Sequence, residues 1–283
     1  MNTKLNSTSL DTLCAALCYA AGVTPPEHAA PANEDLVRFV DEAFGGQKCD
    51  RIFMYNPDAI GQWIDEKYPT FLQEVKKRTQ LQLPLCTVMP SVTPVCFGTM
   101  YTGAQPAVHG IQKYEKPVLT IDTIFDAFLR AGKKVAILGY GSCSISHIFL
   151  ERELDYFRMD NIEQVNAVAA RLIAEDKHDL IVCYNGNYDA RCHSHGPEAV
   201  ETLGELRMNS HAFGVLNELI KTCWAGHRTL MGFAMDHGSH ACDYISSVNG
   251  KHYLGHHGKD LPEDLNICHY YAAIGGADSK ETE

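Results

Sequence analysis

The chain has 283 residues, 45% of them hydrophobic and 21% charged. That suits one large α/β domain or two small ones and excludes a disordered chain. Its 24 Lys and Arg against 35 Asp and Glu leave a net charge of -11, with basic residues only in short pairs such as Lys76-Lys77 and Lys133-Lys134, which excludes a nucleic-acid polymer as partner.

In chain order, Ser9 to Ala21 and Asn33 to Phe44 read as two helices joined by the loop "GVTPPEHAAPAN", with Asn33 as N-cap of the second. The first holds the apolar run Leu13 to Val23, which imitates a secretion leader. Only Lys4 is basic before it and Asp11 interrupts the approach, so a folded helix is expected. These helices are expected to form an N-terminal segment, residues 1–45, packed on the outside of the main domain over 46–276. A first short strand, Ile52 to Tyr55, ends in a turn holding Asp58. Three further strands end at Gly139, near Tyr184 and near Met235. Continuous apolar runs of this length suit parallel strands covered on both faces. Helical segments at Thr120 to Ala131, Ile162 to Asp176 and Pro197 to Trp224 separate them, the last a candidate for a break into two. The alternation predicts an α/β fold: a doubly wound, mostly parallel central sheet with helices on both faces. Residues 277–283 read as a frayed tail. No apolar run is long enough to span a bilayer, so no membrane partner is expected.

The eleven cysteines are odd in number and form no CxxC pair. Several sit in apolar runs, such as Cys183 and Cys223. That pattern reads as reduced, buried thiols in a cytoplasmic protein.

Asp58, Asp189, Asp236 and His237 each follow a predicted strand. In an open α/β sheet the ligand crevice lies at the carboxyl ends of the strands. "DARCHSHGP" places Asp189 and His193 four apart, so that in a helical turn both can face one ion. "MDHG" sets Asp236 beside His237, and "LGHHGKD" places His256 and His257 between glycines, where the backbone can approach an ion closely. Oxygen and nitrogen donors of this kind suit zinc, with manganese or iron as alternatives. Taken singly, each motif is equally a polar turn. With 14 histidines in the chain, His109, His195, His240, His252 and His256 are candidates for structural or surface roles.

In order and spacing together these motifs resemble the alkaline phosphatase superfamily, most closely its type I phosphodiesterase/nucleotide pyrophosphatase branch. Thr93 lies ten residues before Gly103 of a Thr-Gly pair, and His109-Gly110-Ile111 follows, as in that branch. The pattern D-x-x-x-H-x-x-G-P is met by Asp189, His193, Gly196 and Pro197. Asp236, His237 and Gly238 match its DHG; Gly255, His257 and Gly258 match its late GxHG. The resemblance implies two divalent metal ions, one held by Asp189, His193 and His257 and the other by Asp58, Asp236 and His237. It also implies Thr93 as metal-activated nucleophile, a covalent phosphothreonine, and a small phosphorylated substrate. Placing Thr93 at an N-cap and Pro94 at N1 would set the hydroxyl at the positive end of a helix.

One position departs from the branch. Where the resemblance leads one to expect T-F-P-N, the chain has Thr93-Pro94-Val95-Cys96, and a thiol is a poorer donor than the amide that contacts a phosphate oxygen. The N–H groups of Val95 and Cys96 are the candidate replacements. The alternatives to ester hydrolysis are a phosphonate hydrolase of the phosphonoacetate type or a phosphomonoesterase on the same site. In another class stands a metal- or ligand-binding protein that does not turn over. The segment Gly139 to Asn161, with Tyr140, Tyr156 and Phe157, is a candidate wall of the substrate site or simply core.

Overall fold

The computed structural model describes residues 4–248 and 250–275; the expected tail over 277–283 lies outside the described residues. The strands are β1 (Arg51–Pro57), β2 (Leu81–Cys86), β3 (Val135–Tyr140), β4 (Asp155–Met159), β5 (Leu180–Asn185), β6 (Thr229–Phe233), β7 (His240–Ile245), β8 (His252–His256) and β9 (Asn266–Ile274). Seven form one sheet in the order β2-β9-β6-β1-β5-β3-β4, and β7 pairs with β8 in a separate hairpin. Every neighbouring pair from β6 to β4 is parallel, while β9 runs antiparallel to both β6 and β2. This is the mostly parallel α/β sheet the alternation predicts.

Burial explains the central strands. All six residues of β5 are buried, as are Ile52 to Pro57 of β1 and all of β6, so both faces of these strands are covered. The helices at Thr12–Ala21, Thr93–Thr102 and Ile124–Arg130 pack together as one group. Those at Ile162–Glu175 and Val200–Cys223 form the other. Asn33 caps the helix Glu34–Phe44 as expected, its side chain accepting from the Leu36 N–H at 3.0 Å; such a cap contributes about 1 kcal/mol.

Several expectations need correction. The segment Pro197 to Trp224 is not broken: one helix runs Val200–Cys223, and a separate helix, Asn187–His195, precedes it. The helix expected from Thr120 begins only at Ile124, because Thr123 and Asp126 form a capping box that fixes its start. Thr93 is not an N-cap. Val92 takes that position, Thr93 is the first helical residue and Pro94 the second. Cys223 is exposed, together with Lys221 and Thr222, on the side of the last turn away from the buried Ile220, whereas Cys183 on β5 is fully buried. All eleven cysteines are free thiols. β2, β4, β9 and the β7–β8 hairpin were not expected at all. Among the described residues no helix is long and apolar enough to cross a membrane.

Candidate metal centre at the carboxyl edge of the sheet

Three adjacent parallel strands, β6, β1 and β5, end at one edge. Asp58 directly follows β1, Asp236 and His237 follow β6, and Asp189 and His193 lie on the helix that follows β5. Thr93 enters from the helix after β2, and His257 from the end of β8. The fold thus brings seven residues from five segments to one place.

They fall into two groups. The ligand-type atoms of Asp58, Asp236 and His237 lie within 4.8 Å of one another, as do those of Asp189, His193 and His257. The groups adjoin, for the His237 and His257 rings are 4.2 Å apart. In the first, His237 Nε2 is 3.3 Å from both Asp58 Oδ1 and Asp236 Oδ2. In the second, His193 Nε2 and His257 Nε2 are each 3.4 Å from Asp189 Oδ1. Thr93 Oγ1 stands 3.4 Å from Asp58 Oδ2 and 3.4 Å from His237 Nε2.

The three imidazoles are held alike. His237 Nδ1 meets the Gly238 carbonyl at 2.9 Å, His257 Nδ1 the Ser91 carbonyl at 3.0 Å, and His193 Nδ1 the Gly255 carbonyl at 3.0 Å. A carbonyl can only accept, so each ring carries its proton on Nδ1 and turns an Nε2 lone pair inward when neutral. The carboxylates complement this. Asp58 Oδ1, Asp189 Oδ1 and Asp236 Oδ2 are buried and have no hydrogen-bond partner. Orphaned carboxylate oxygens facing imidazole lone pairs are a costly arrangement for a protein alone, and the donor set fits divalent cations.

Electrostatics point the same way. Two full negative charges about 4 Å apart repel by about 4 kcal/mol at an effective dielectric of about 20. Burial, reinforced by the charge of Asp189, pushes the Asp58 carboxyl up to about 7. Burial and the charge of Asp58 raise Asp236 well above its ordinary value. Burial, with the His257 charge beside it, holds His237 well below its usual value. Burial opposes ionisation of Asp189 and His257, but the attraction between them at 3.4 Å wins: Asp189 is lowered and His257 is lifted to about 9. Cations would replace protons in balancing this charge.

The remaining histidines stand outside both groups. His109 packs under Gly98 and meets Thr99 Oγ1 at 3.1 Å; His240 pairs with Asp264 and His252 with Asp243. His256 meets the His193 ring edge-on at 5.3 Å and belongs to neither group. Of the candidate wall, Tyr140 stacks on Tyr184 next to the site, whereas Tyr156 and Phe157 sit on the outer strand β4. The expected donors are already used: the Val95 and Cys96 N–H groups both bond the Val92 carbonyl at 3.0 Å, and the Cys96 thiol accepts from Thr87 at 3.2 Å. Two residues escaped sequence reasoning. Ser91 holds His257 and Gly258 through its carbonyl and hydroxyl, and nothing in its local sequence announces that. Tyr184 donates to Asp58 Oδ2, and its place at the end of β5 was the available signal.

No curated protein sequence matches the chain. Among solved structures, human ectonucleotide pyrophosphatase/phosphodiesterase 5 superposes with a TM-score of 0.60 at 13% identity, over 79% of this chain and 87% of that one. An inactive threonine-to-alanine form of the murine protein in complex with AMP gives 0.59 at 13% identity, over 79% and 88%. Phosphonoacetate hydrolase from Sinorhizobium meliloti 1021, in complex with phosphonoformate, gives 0.53 at 19% identity, over 71% of this chain and 60% of that one. These likenesses establish the alkaline phosphatase-like fold. The profile of Type I phosphodiesterase / nucleotide pyrophosphatase matches residues 55–277, most of the chain and every residue of the site, so the chain belongs to that family of phosphoric ester hydrolases.

Proposed function

We propose that the protein is a two-metal hydrolase of small phosphate diesters or pyrophosphates that uses Thr93 as its nucleophile. The observation that carries this reading is the pairing of two carboxylate–imidazole groups side by side, with one buried hydroxyl against the first of them. Asp58, Asp236 and His237 would hold one divalent ion, and Asp189, His193 and His257 the other; zinc, manganese and iron suit these donors. Such ions supply Lewis acidity: they acidify a hydroxyl or water and stabilise a leaving oxygen.

The chain's own residues do the rest. Thr93 sits in the first turn of its helix with Oγ1 turned to Asp58 and His237 rather than to the helix backbone. That hydroxyl would attack phosphorus in line, forming a Thr–O–P bond as the bond to the leaving alcohol or phosphate breaks, with the hydroxyl proton passing to solvent and the leaving oxygen taking one up from it. Water would then hydrolyse the phosphothreonine, restoring the threonine and releasing the phosphoryl group. Among the described residues no acceptor bonds the Thr93 N–H, while the next free amides of the turn go to Val92. The Thr93 N–H is therefore the donor we assign to a phosphate oxygen in place of the amide missing at Cys96.

A phosphonate hydrolase is the second reading, suggested by the structural likeness to phosphonoacetate hydrolase. A panel of chromogenic phosphate mono- and diesters, pyrophosphates and phosphonates, with zinc or manganese added, separates the two. Diester or pyrophosphate turnover abolished by a chelator and restored by metal is expected. Full activity in chelator would overturn the two-metal reading.

A further inference from the structure

Tyr184, the penultimate residue of β5, buries its ring between Tyr140 and Phe97. It stacks on Tyr140 at 5.9 Å and 21° and meets the edge of Phe97 at 5.7 Å and 77°. Phe97 lies one helical turn after Thr93. Below, Gly186 leaves room for the two phenols: a Cβ there would fall 2.5 Å from the Tyr184 hydroxyl and 2.6 Å from that of Tyr140. The clamped ring aims its hydroxyl at Asp58 Oδ2, to which it donates.

The two carboxylates of this group show one pattern by two means. Asp236 Oδ1 accepts the His237 N–H at 2.9 Å and the Ala59 N–H at 3.3 Å, leaving Oδ2 bare. Asp58 has no such backbone donors. Tyr184 ties its Oδ2, leaving Oδ1 bare and turned to His237. A carboxylate with one oxygen tied cannot rotate freely, so the other oxygen is presented in a fixed direction. A neutral phenol does this without placing a positive charge beside an ion, as Lys or Arg would. It also occupies the oxygen nearest Thr93 Oγ1, which stands off at 3.4 Å.

We propose that Tyr184 is a positioning residue that orients Asp58 as a ligand of the ion bound with Asp236 and His237. This rests on the two-metal reading above. The test is zinc titration of chelator-stripped protein against a competing chromophoric chelator. Wild type is expected to take up two ions. Tyr184→Phe keeps the ring and its packing, so melting temperature of the stripped protein should hold, while one ion binds on the order of 10- to 100-fold more weakly. His193→Ala, which removes a ligand of the other group, identifies that ion as the one this variant still retains. Tyr140→Phe, which removes a hydroxyl not bonded to Asp58, should leave both affinities unchanged. Two ions in wild type with the same two affinities in Tyr184→Phe would overturn the positioning role alone. Failure of wild type to bind any ion would overturn the two-metal reading and this inference together.

Discussion

At Thr93 the hydroxyl has no structural task to explain its place. It does not cap its helix, because Val92 stands at the N-cap, and its side-chain partners are Asp58 and His237 at 3.4 Å. Thr93→Ala should therefore change stability by less than the roughly 1 kcal/mol that a lost cap costs. Turnover should fall by at least about 10³-fold, since a missing nucleophile is rarely compensated. Thr93→Ser keeps the hydroxyl and should retain part of the activity. Thermal melts and single-turnover rates of both variants check this; an active, mildly destabilised Thr93→Ala would exclude the threonine. The residues around it were unequally legible. Asp189 and His193 lie four apart on one helix, and Asp236 and His237 adjoin at a strand end, so short-range spacing betrays them. Ser91 holds His257 through its carbonyl, which every residue possesses, and its hydroxyl meets Gly258, 167 residues away, so neither contact leaves a local mark in the sequence.

Among the elements, the helix Thr93–Thr102 carries Thr93 at its start, and its far end is fixed by contact. Gly103 ends it with φ +72, and a Cβ there would lie 2.6 Å from Ala29 Cβ and 3.0 Å from Cys14 Cβ. Gly103→Ala should destabilise the protein by about 2–4 kcal/mol, from the left-handed backbone and the overpacking together. It should also depress turnover by tilting the helix that carries Thr93. Urea unfolding and a rate assay measure the two effects; an unchanged midpoint would show that the interface yields. The Thr-Gly pair and His109-Gly110 flanking this region were legible as motifs. That His109 packs under Gly98 was not, because it depends on how the chain folds back after the helix.

Over the whole molecule, two histidines buried as neutral rings tie stability to pH. Burial lowers both His109 and His269 from 6.5 to about 4, and His269 Nε2 donates to the Met235 carbonyl beside Asp236 at 2.6 Å. Between pH 6.5 and 4 the unfolded chain binds protons that the folded rings refuse. Their stabilisation is thus complete above 6.5 and is lost as pH falls toward 4, by up to about 1.4 kcal/mol per pH unit for each ring. Denaturant melts across that range should show the loss, and His109→Gln should flatten it. An unchanged slope in the variant would assign the acid sensitivity to other groups.

The sequence by itself determined the sheet's central strands, through apolar runs long enough to be covered on both faces, and it offered Asp58, Asp189, Asp236 and His237 as candidates just beyond those runs; Thr93, His193 and His257 became candidates through motif spacing and the family resemblance. It also determined the family, because motif order survives when overall identity does not. Only the tertiary structure decided what depends on distant pairing. The outer strands β2 and β4 have exposed positions and weak patterns, and β9 is defined by its antiparallel partners β2 and β6. The contact between the two groups, whose His237 and His257 rings lie 4.2 Å apart, and the phenol that ties Asp58 arise where β1, β5 and β6 end together. Local spacing records what lies within a turn or a strand. A contact between Asp58 and Tyr184, 126 residues apart, is set by sheet register and packing, which no short stretch of sequence contains.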